Sequence, residues 1–115
     1  MIRKRKPKIL QILPMYHSAG EDILNREADV RRTDQLDTSH LCTMVQEVEG
    51  VVLRAPAKMT AEIIAANPHL KVISGAGVGL DNIDVASATE YGIPVLHAPS
   101  VNHVSTAEHV MALLL

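Results

Sequence analysis

The sequence predicts an α/β domain built on a five-stranded parallel sheet with helices on both faces. Three observations carry this. Short apolar runs bounded by turn residues alternate five times with segments that start on a capping residue. Each apolar run is too short for a helix and rich in Ile, Leu and Val. With no Trp, no Phe and two Tyr, the core must be assembled from Ile, Leu, Val, Ala and Met.

Residues 8–13 read as a buried strand that Pro14 ends. Residues 20–28 form a helix with Glu21 and Asp22 in its first turn, where the helix dipole favours acids. Residues 29–33 are an edge strand. Asp34 or Asp37 caps a helix that runs to about Val48, with Leu41, Met44, Val45 and Val48 on one face, and Gly50 ends it. Val51, Val52 and Leu53 form the next strand, with Arg54 at its carboxyl end. Thr60 caps a helix over 61–66 that Asn67-Pro68 stops. Residues 71–74 are a strand, Asp84 caps a helix over 85–91, and Gly92 ends it. Residues 93–96 are the fifth strand, limited on one side by Pro94. Ser105 caps a last helix over 106–115, with Glu108 at capping-box spacing.

The 115 residues allow one domain. Five of the eleven basic residues lie in the first eight positions, and residues 1–7 read as a basic flexible tail. From residue 9 onward thirteen acidic residues face six basic ones, which does not suit nucleic acid or anionic lipid. The scarcity of aromatics argues against a base-stacking platform. No apolar run reaches membrane-spanning length, so no membrane partner is expected. The single Cys42 excludes an internal disulfide and fits a reducing cytoplasm.

Ligands of such sheets bind outside the carboxyl ends of the strands. There the most conspicuous segment is Gly75-Ala76-Gly77-Val78-Gly79-Leu80-Asp81-Asn82. It is not the dinucleotide fingerprint, because the third glycine comes one residue early and the helix starts late, near Asp84. Consecutive amides in such a loop can instead form a nest for a carboxylate or phosphate, or the glycines can serve a tight turn. Arg54 ends the neighbouring strand, where its guanidinium can pair with the same anion or form a surface ion pair. His97, His103 and His109 lack metal-ligand spacing, so no metal site is expected. Glu108 reads as a capping-box residue ahead of a base.

The chain resembles the D-isomer-specific 2-hydroxyacid dehydrogenase family. The resemblance lies in Leu53-Arg54-Ala55-Pro56-Ala57-Lys58-Met59-Thr60, Asn67-Pro68-His69-Leu70-Lys71-Val72-Ile73, Gly77-Val78-Gly79-Leu80-Asp81-Asn82-Ile83-Asp84, Tyr91-Gly92-Ile93-Pro94-Val95, Ala98-Pro99 and Ala107-Glu108-His109. These pieces run in family order over residues 50–115, whereas residues 1–49 match only as a strand–helix pattern.

The resemblance implies a flavodoxin-like, three-layer substrate-binding (catalytic) domain over 8–104, incomplete at the carboxyl end. Residues 105–115 would start the helix that connects to an NAD-binding domain. It implies that the amides of Gly77, Val78 and Gly79 hold the substrate carboxylate, with Arg54 and Asn102 lining the substrate cleft. Val78 and Thr106 would lie near the nicotinamide of NAD or NADP. The family's nucleotide loop, catalytic Arg and Glu–His pair match nothing here, so no catalytic residue is assigned. This portion is expected to be inactive alone, with a small 2-hydroxy or 2-oxo acid as substrate and a homodimer formed through the final helix. Gly75 stands where many phosphoglycerate dehydrogenases of the family have Arg, which removes a cation that a phosphorylated substrate would use. The alternative is a stand-alone flavodoxin-like small-anion-binding or interaction module.

Overall fold

The computed structural model describes residues 5–15, 18–75, 80–97, 111, 112 and 114. Its elements are β1 (Lys8–Ile12), α1 (Ser18–Glu27), β2 (Asp29–Thr33), α2 (Thr38–Val45), β3 (Gly50–Leu53), α3 (Ala61–Ala65), β4 (Val72–Gly75), α4 (Val85–Glu90) and β5 (Val95–His97). All strand pairs are parallel, in the order β2-β1-β3-β4-β5.

Alternation along each strand divides the core into two layers. Leu10, Ile12, Val51, Leu53 and Ile73 face one side, where they pack with Leu41 and Val45 of α2, Ile63 and Ile64 of α3, and Ala88 of α4. Ile9, Val52 and Val72 face the other side, against Ile23 and Leu24 of α1 and Met111. Helices therefore cover both faces, as the strand–helix alternation predicts. Each fully buried Leu or Ile contributes about 1.5–3 kcal/mol relative to exposure.

Several boundaries differ from the sequence expectation, each for a local reason. The first strand stops at Ile12, because Leu13 turns into the left-handed region at φ 72°. Its N–H still donates to Thr33 O at 2.9 Å. The second helix ends at Val45, and Gly50 opens β3 instead of closing the helix. Asp37 holds the N-cap position, but its side chain makes no capping bond. The helix stops early because the side chain of Asn67 takes the Val45 and Val48 carbonyls at 2.8 and 3.0 Å.

The last described strand starts at Val95 instead of residue 93. Gly92, at φ 70°, donates to Thr89 O, and Ile93 donates to Ala88 O. This is the Schellman closure of α4, and it occupies Ile93 before the ladder begins. The caps of α3 and α4 match expectation: Thr60 Oγ1 accepts from Ile63 N–H, and Asp84 Oδ1 accepts from Ser87 N–H.

Residues 5–7 of the basic amino-terminal segment are tied to the sheet. Pro7 is buried and its carbonyl accepts from Asp29 N–H at 2.9 Å. Arg5 pairs with Glu49, whose carboxylate also accepts from Lys8 N–H. The Arg5 guanidinium holds the Glu49 carboxyl below its ordinary value of 4.5. A carboxyl held low in the folded state stabilises above its unfolded value and loses that contribution as pH falls through the folded one. Glu49→Gln is therefore expected to lower stability across the range above the ordinary carboxylate value and to flatten the fall on the acid side, so that the two curves converge at low pH. The check is the thermal midpoint measured against pH for both proteins.

Candidate functional site at the carboxyl edge of the sheet

The chain leaves β1 toward β2 on one side and returns on the other side as β3, so the strand order reverses between β1 and β3. The crevice at the carboxyl ends of these two strands is where ligands of such sheets bind. Arg54 follows Leu53 at the end of β3 and reaches across this crevice. Its Nε–H donates to the carbonyl of Pro14, in the loop after β1, and its Nη1–H donates to Ala55 O at 3.0 Å. The guanidinium is thus held by backbone carbonyls at the mouth of the crevice.

The loop after β1 is fixed from within. Gln11 Nε2 donates to Leu13 O at 3.2 Å, and Met15 N–H donates to the Glu21 carboxylate at 3.0 Å. The left-handed Leu13 between them costs about 1–3 kcal/mol for a bulky residue. It is retained because hydrogen bonds on both sides over-determine the turn.

On the other side, Gly75 ends β4 in register with Leu53, so Arg54 and the glycine-rich segment leave neighbouring strands at the same level. A Cβ on Gly75 would meet the Ile83 δ-methyl at 3.2 Å. The two loops are stitched together farther out. Asn82 Nδ2 donates to Ala57 O at 3.1 Å, Met59 N–H donates to Asn82 O, and Asp84 N–H donates to Met59 O. A cavity of about 250 Å³ lies between these loops and is lined by Lys58, Thr60, Asp81 and Asn82 among others.

Of the predicted site residues, Arg54 is placed at the expected strand end. Gly77, Val78, Gly79, Asn102 and Thr106 lie outside the described residues. Sequence reasoning missed Asn82 as a tie between loops and Pro14 as the acceptor for Arg54. It also passed over Gln11, although a polar residue inside an apolar strand run was a legible signal. The Cys42 thiol is pushed up, first by burial and then by the charge of Glu62, which suits a spectator and not a nucleophile. Among the described residues no group of three or more His, Cys, Asp or Glu is gathered as a metal site, and no helix is long and apolar enough to cross a membrane.

Two features of the described residues differ from the dinucleotide fingerprint. A pyrophosphate needs a helix N-terminus directly after its glycine loop, whereas here α4 begins at Val85, ten residues after Gly75. The strand beside β4 ends in His97, with no acid to meet a ribose. What the edge offers among the described residues is a guanidinium held beside the strand that leads into the glycine-rich segment.

The family model for the D-isomer specific 2-hydroxyacid dehydrogenase catalytic domain matches residues 9–112. The chain is 39% identical over 110 residues to D-3-phosphoglycerate dehydrogenase 3, chloroplastic, of Arabidopsis thaliana; the match covers 95% of this chain and 18% of that protein. Its fold is similar to that of NAD+-bound 3-phosphoglycerate dehydrogenase from Entamoeba histolytica. The TM-score there is 0.74 at 26% identity, with coverage of 94% of this chain and 38% of the other. It is also similar to an NADPH-dependent glyoxylate/hydroxypyruvate reductase from Sinorhizobium meliloti, solved with NADP and malonate. There the TM-score is 0.70 at 25% identity, over 84% of this chain and 30% of the other. The chain therefore spans well under half the length of the relatives it matches.

Proposed function

Because the chain belongs to the D-isomer specific 2-hydroxyacid dehydrogenase family through its catalytic domain, we propose that it supplies the substrate-binding part of an NAD(P)-dependent oxidoreductase acting on the CH–OH group of 2-hydroxy acids. The observation that carries the reading is the position of Arg54. It stands at the carboxyl end of β3, beside the strand that leads into the glycine-rich segment, with its guanidinium anchored on the Pro14 carbonyl.

A cation fixed there holds a carboxylate in one orientation. A fork of N–H donors and the amides of Gly77, Val78 and Gly79 would grip both oxygens, leaving C2 at a set distance from the clamp. Val78 and Thr106 would border the nicotinamide, and Asn102 the substrate. The role of this chain is positioning; the proton and hydride transfers belong to groups elsewhere in the complete enzyme. Gly75 provides no side-chain cation, which favours an unphosphorylated 2-hydroxy or 2-oxo acid. The same reading makes the enzyme a cytoplasmic homodimer joined through the final helix, supported by the lone cysteine and by the apolar residues 110–115.

The reading is tested by titrating the 115-residue chain with pyruvate and with methyl pyruvate while following the Arg54 Nε–H and the Gly75 amide by NMR. Saturable shifts with the acid alone support a carboxylate clamp. Equal responses to the acid and its ester, or none to either, count against it.

A further inference from the structure

Arg54 is held at two levels. Its guanidinium rests on the Pro14 and Ala55 carbonyls. Its backbone opens a turn directly after β3, closed by Ala57 N–H donating to Arg54 O at 3.0 Å. A long side chain magnifies any swing of the backbone that carries it, so the aim of the guanidinium depends on that turn being rigid.

The tip of the turn, Ala55 and Pro56, is exposed, while Ala57 at its exit is buried. The exit is held from the neighbouring loop, where Asn82 Nδ2 donates to Ala57 O at 3.1 Å. Chemistry sets the amide orientation, because a carbonyl can accept only from the nitrogen end. Two residues on, the main chain adds a second tie. Met59 N–H donates to Asn82 O at 2.8 Å, Asp84 N–H donates to Met59 O at 2.9 Å, and Met59 bridges Ile83. These main-chain bonds do not depend on the side chain at position 82, whereas the bond to Ala57 does.

Asn82 itself stands on a firm base. Ile83 beside it is buried, and its δ-methyl lies 3.2 Å from where a Cβ on Gly75 would be. Gly75 in turn pairs with Leu53. The contacts form a ring from Leu53 through Arg54, Ala57, Asn82, Ile83 and Gly75 back to Leu53, with one side-chain hydrogen bond in it.

We propose that Asn82 is a positioning residue for Arg54: its side-chain amide fixes the turn that aims the guanidinium at the substrate carboxylate. Asn82 acts on the Ala57 carbonyl and reaches the substrate through Arg54. This role rests on the carboxylate-clamp reading of Arg54 and adds to it the group that keeps the clamp in place.

The test uses the 115-residue chain, with pyruvate as the probe and the thermal midpoint as the check of folding. N82A removes the amide, and the isosteric N82D has no donor for Ala57 O at neutral pH. In both, Ala57 N–H should exchange with solvent at least roughly threefold faster. Ile73 N–H, bonded to Pro94 O in the sheet, should exchange as in the parent. Both variants should bind pyruvate roughly threefold to tenfold more weakly. In R54K, whose ammonium is a point charge on a flexible stem, N82A should cost less affinity than it does in the parent. A merely structural tie would speed the exchange of Ala57 and Ile73 together and would cost the same affinity in both backgrounds. Either result overturns the role of Asn82, as does pyruvate binding unchanged in N82A and N82D, or the failure of both to fold. A parent chain with no saturable response to pyruvate counts instead against the Arg54 clamp, and the role of Asn82 falls with it.

Discussion

Arg54→Met is expected to lower kcat/KM for a 2-hydroxy acid by roughly 10²–10³-fold in a protein that joins this chain to a nucleotide-binding domain of the family. Methionine keeps most of the length and the apolar stem of arginine, so packing around Leu53 is preserved. It removes the charge that would face the substrate carboxylate and the donor that holds the Pro14 carbonyl. A carboxylate grip acts in the ground state and in the transition state alike, so most of the loss should appear in KM. Arg54→Lys should recover only part of it, because an ammonium restores the charge without the two-pronged geometry. Steady-state kinetics on the three proteins decide the matter. A methionine variant within about threefold of the parent would mean that Arg54 is only a loop anchor.

Asn67→Ala is expected to cost about 2–4 kcal/mol, a large share of the stability of a domain this size. Asn67 is 8% exposed and works with both ends of its amide. Nδ2 donates to Val45 O and Val48 O, and Oδ1 accepts from His69 N–H at 3.1 Å. Alanine would leave the carbonyls at the end of α2 and the entry to β3 without these donors. The expected fall in thermal midpoint is roughly 10–25 °C, from the usual sensitivity of domains near 100 residues. Asn67→Asp should be no milder at neutral pH, since it retains the His69 bond but turns a negative charge on two carbonyls. Differential scanning calorimetry of both variants would show it, and a fall no larger than that of an exposed substitution would refute the account.

Asn67 also shows where sequence reading stops. Asn-Pro is a sound local signal for the end of α3, and the helix does end there. The side chain's main work is on residues 19 and 22 positions earlier, which no local rule reports. The five strands and the caps at Thr60 and Asp84 were legible because apolar runs and capping residues act within a few positions, and the parallel pairing followed from the strand–helix alternation. Arg54 was legible as a strand-end cation. Its acceptor was not, because the pairing of β1 with β3 brings Pro14 and Arg54 together across forty positions. Gln11, a polar residue among Ile9, Leu10 and Ile12, was passed over, and its bond to the Leu13 carbonyl depends on the turn that follows β1. The Schellman closure of α4 shifted the last strand because Gly92 and Ile93 act as one unit, while residue-by-residue reading treats one as a stop and the other as a strand former.

The most direct measurement is NAD-dependent oxidation of a 2-hydroxy acid, made on the chain alone and on the chain joined to a family nucleotide-binding domain, with NAD binding followed in parallel to verify assembly. The predicted result is no turnover by the chain alone and turnover by the joined protein. Turnover by the chain alone, or a joined protein that binds NAD and oxidises no 2-hydroxy acid, would contradict the assignment of this chain as the substrate-positioning part.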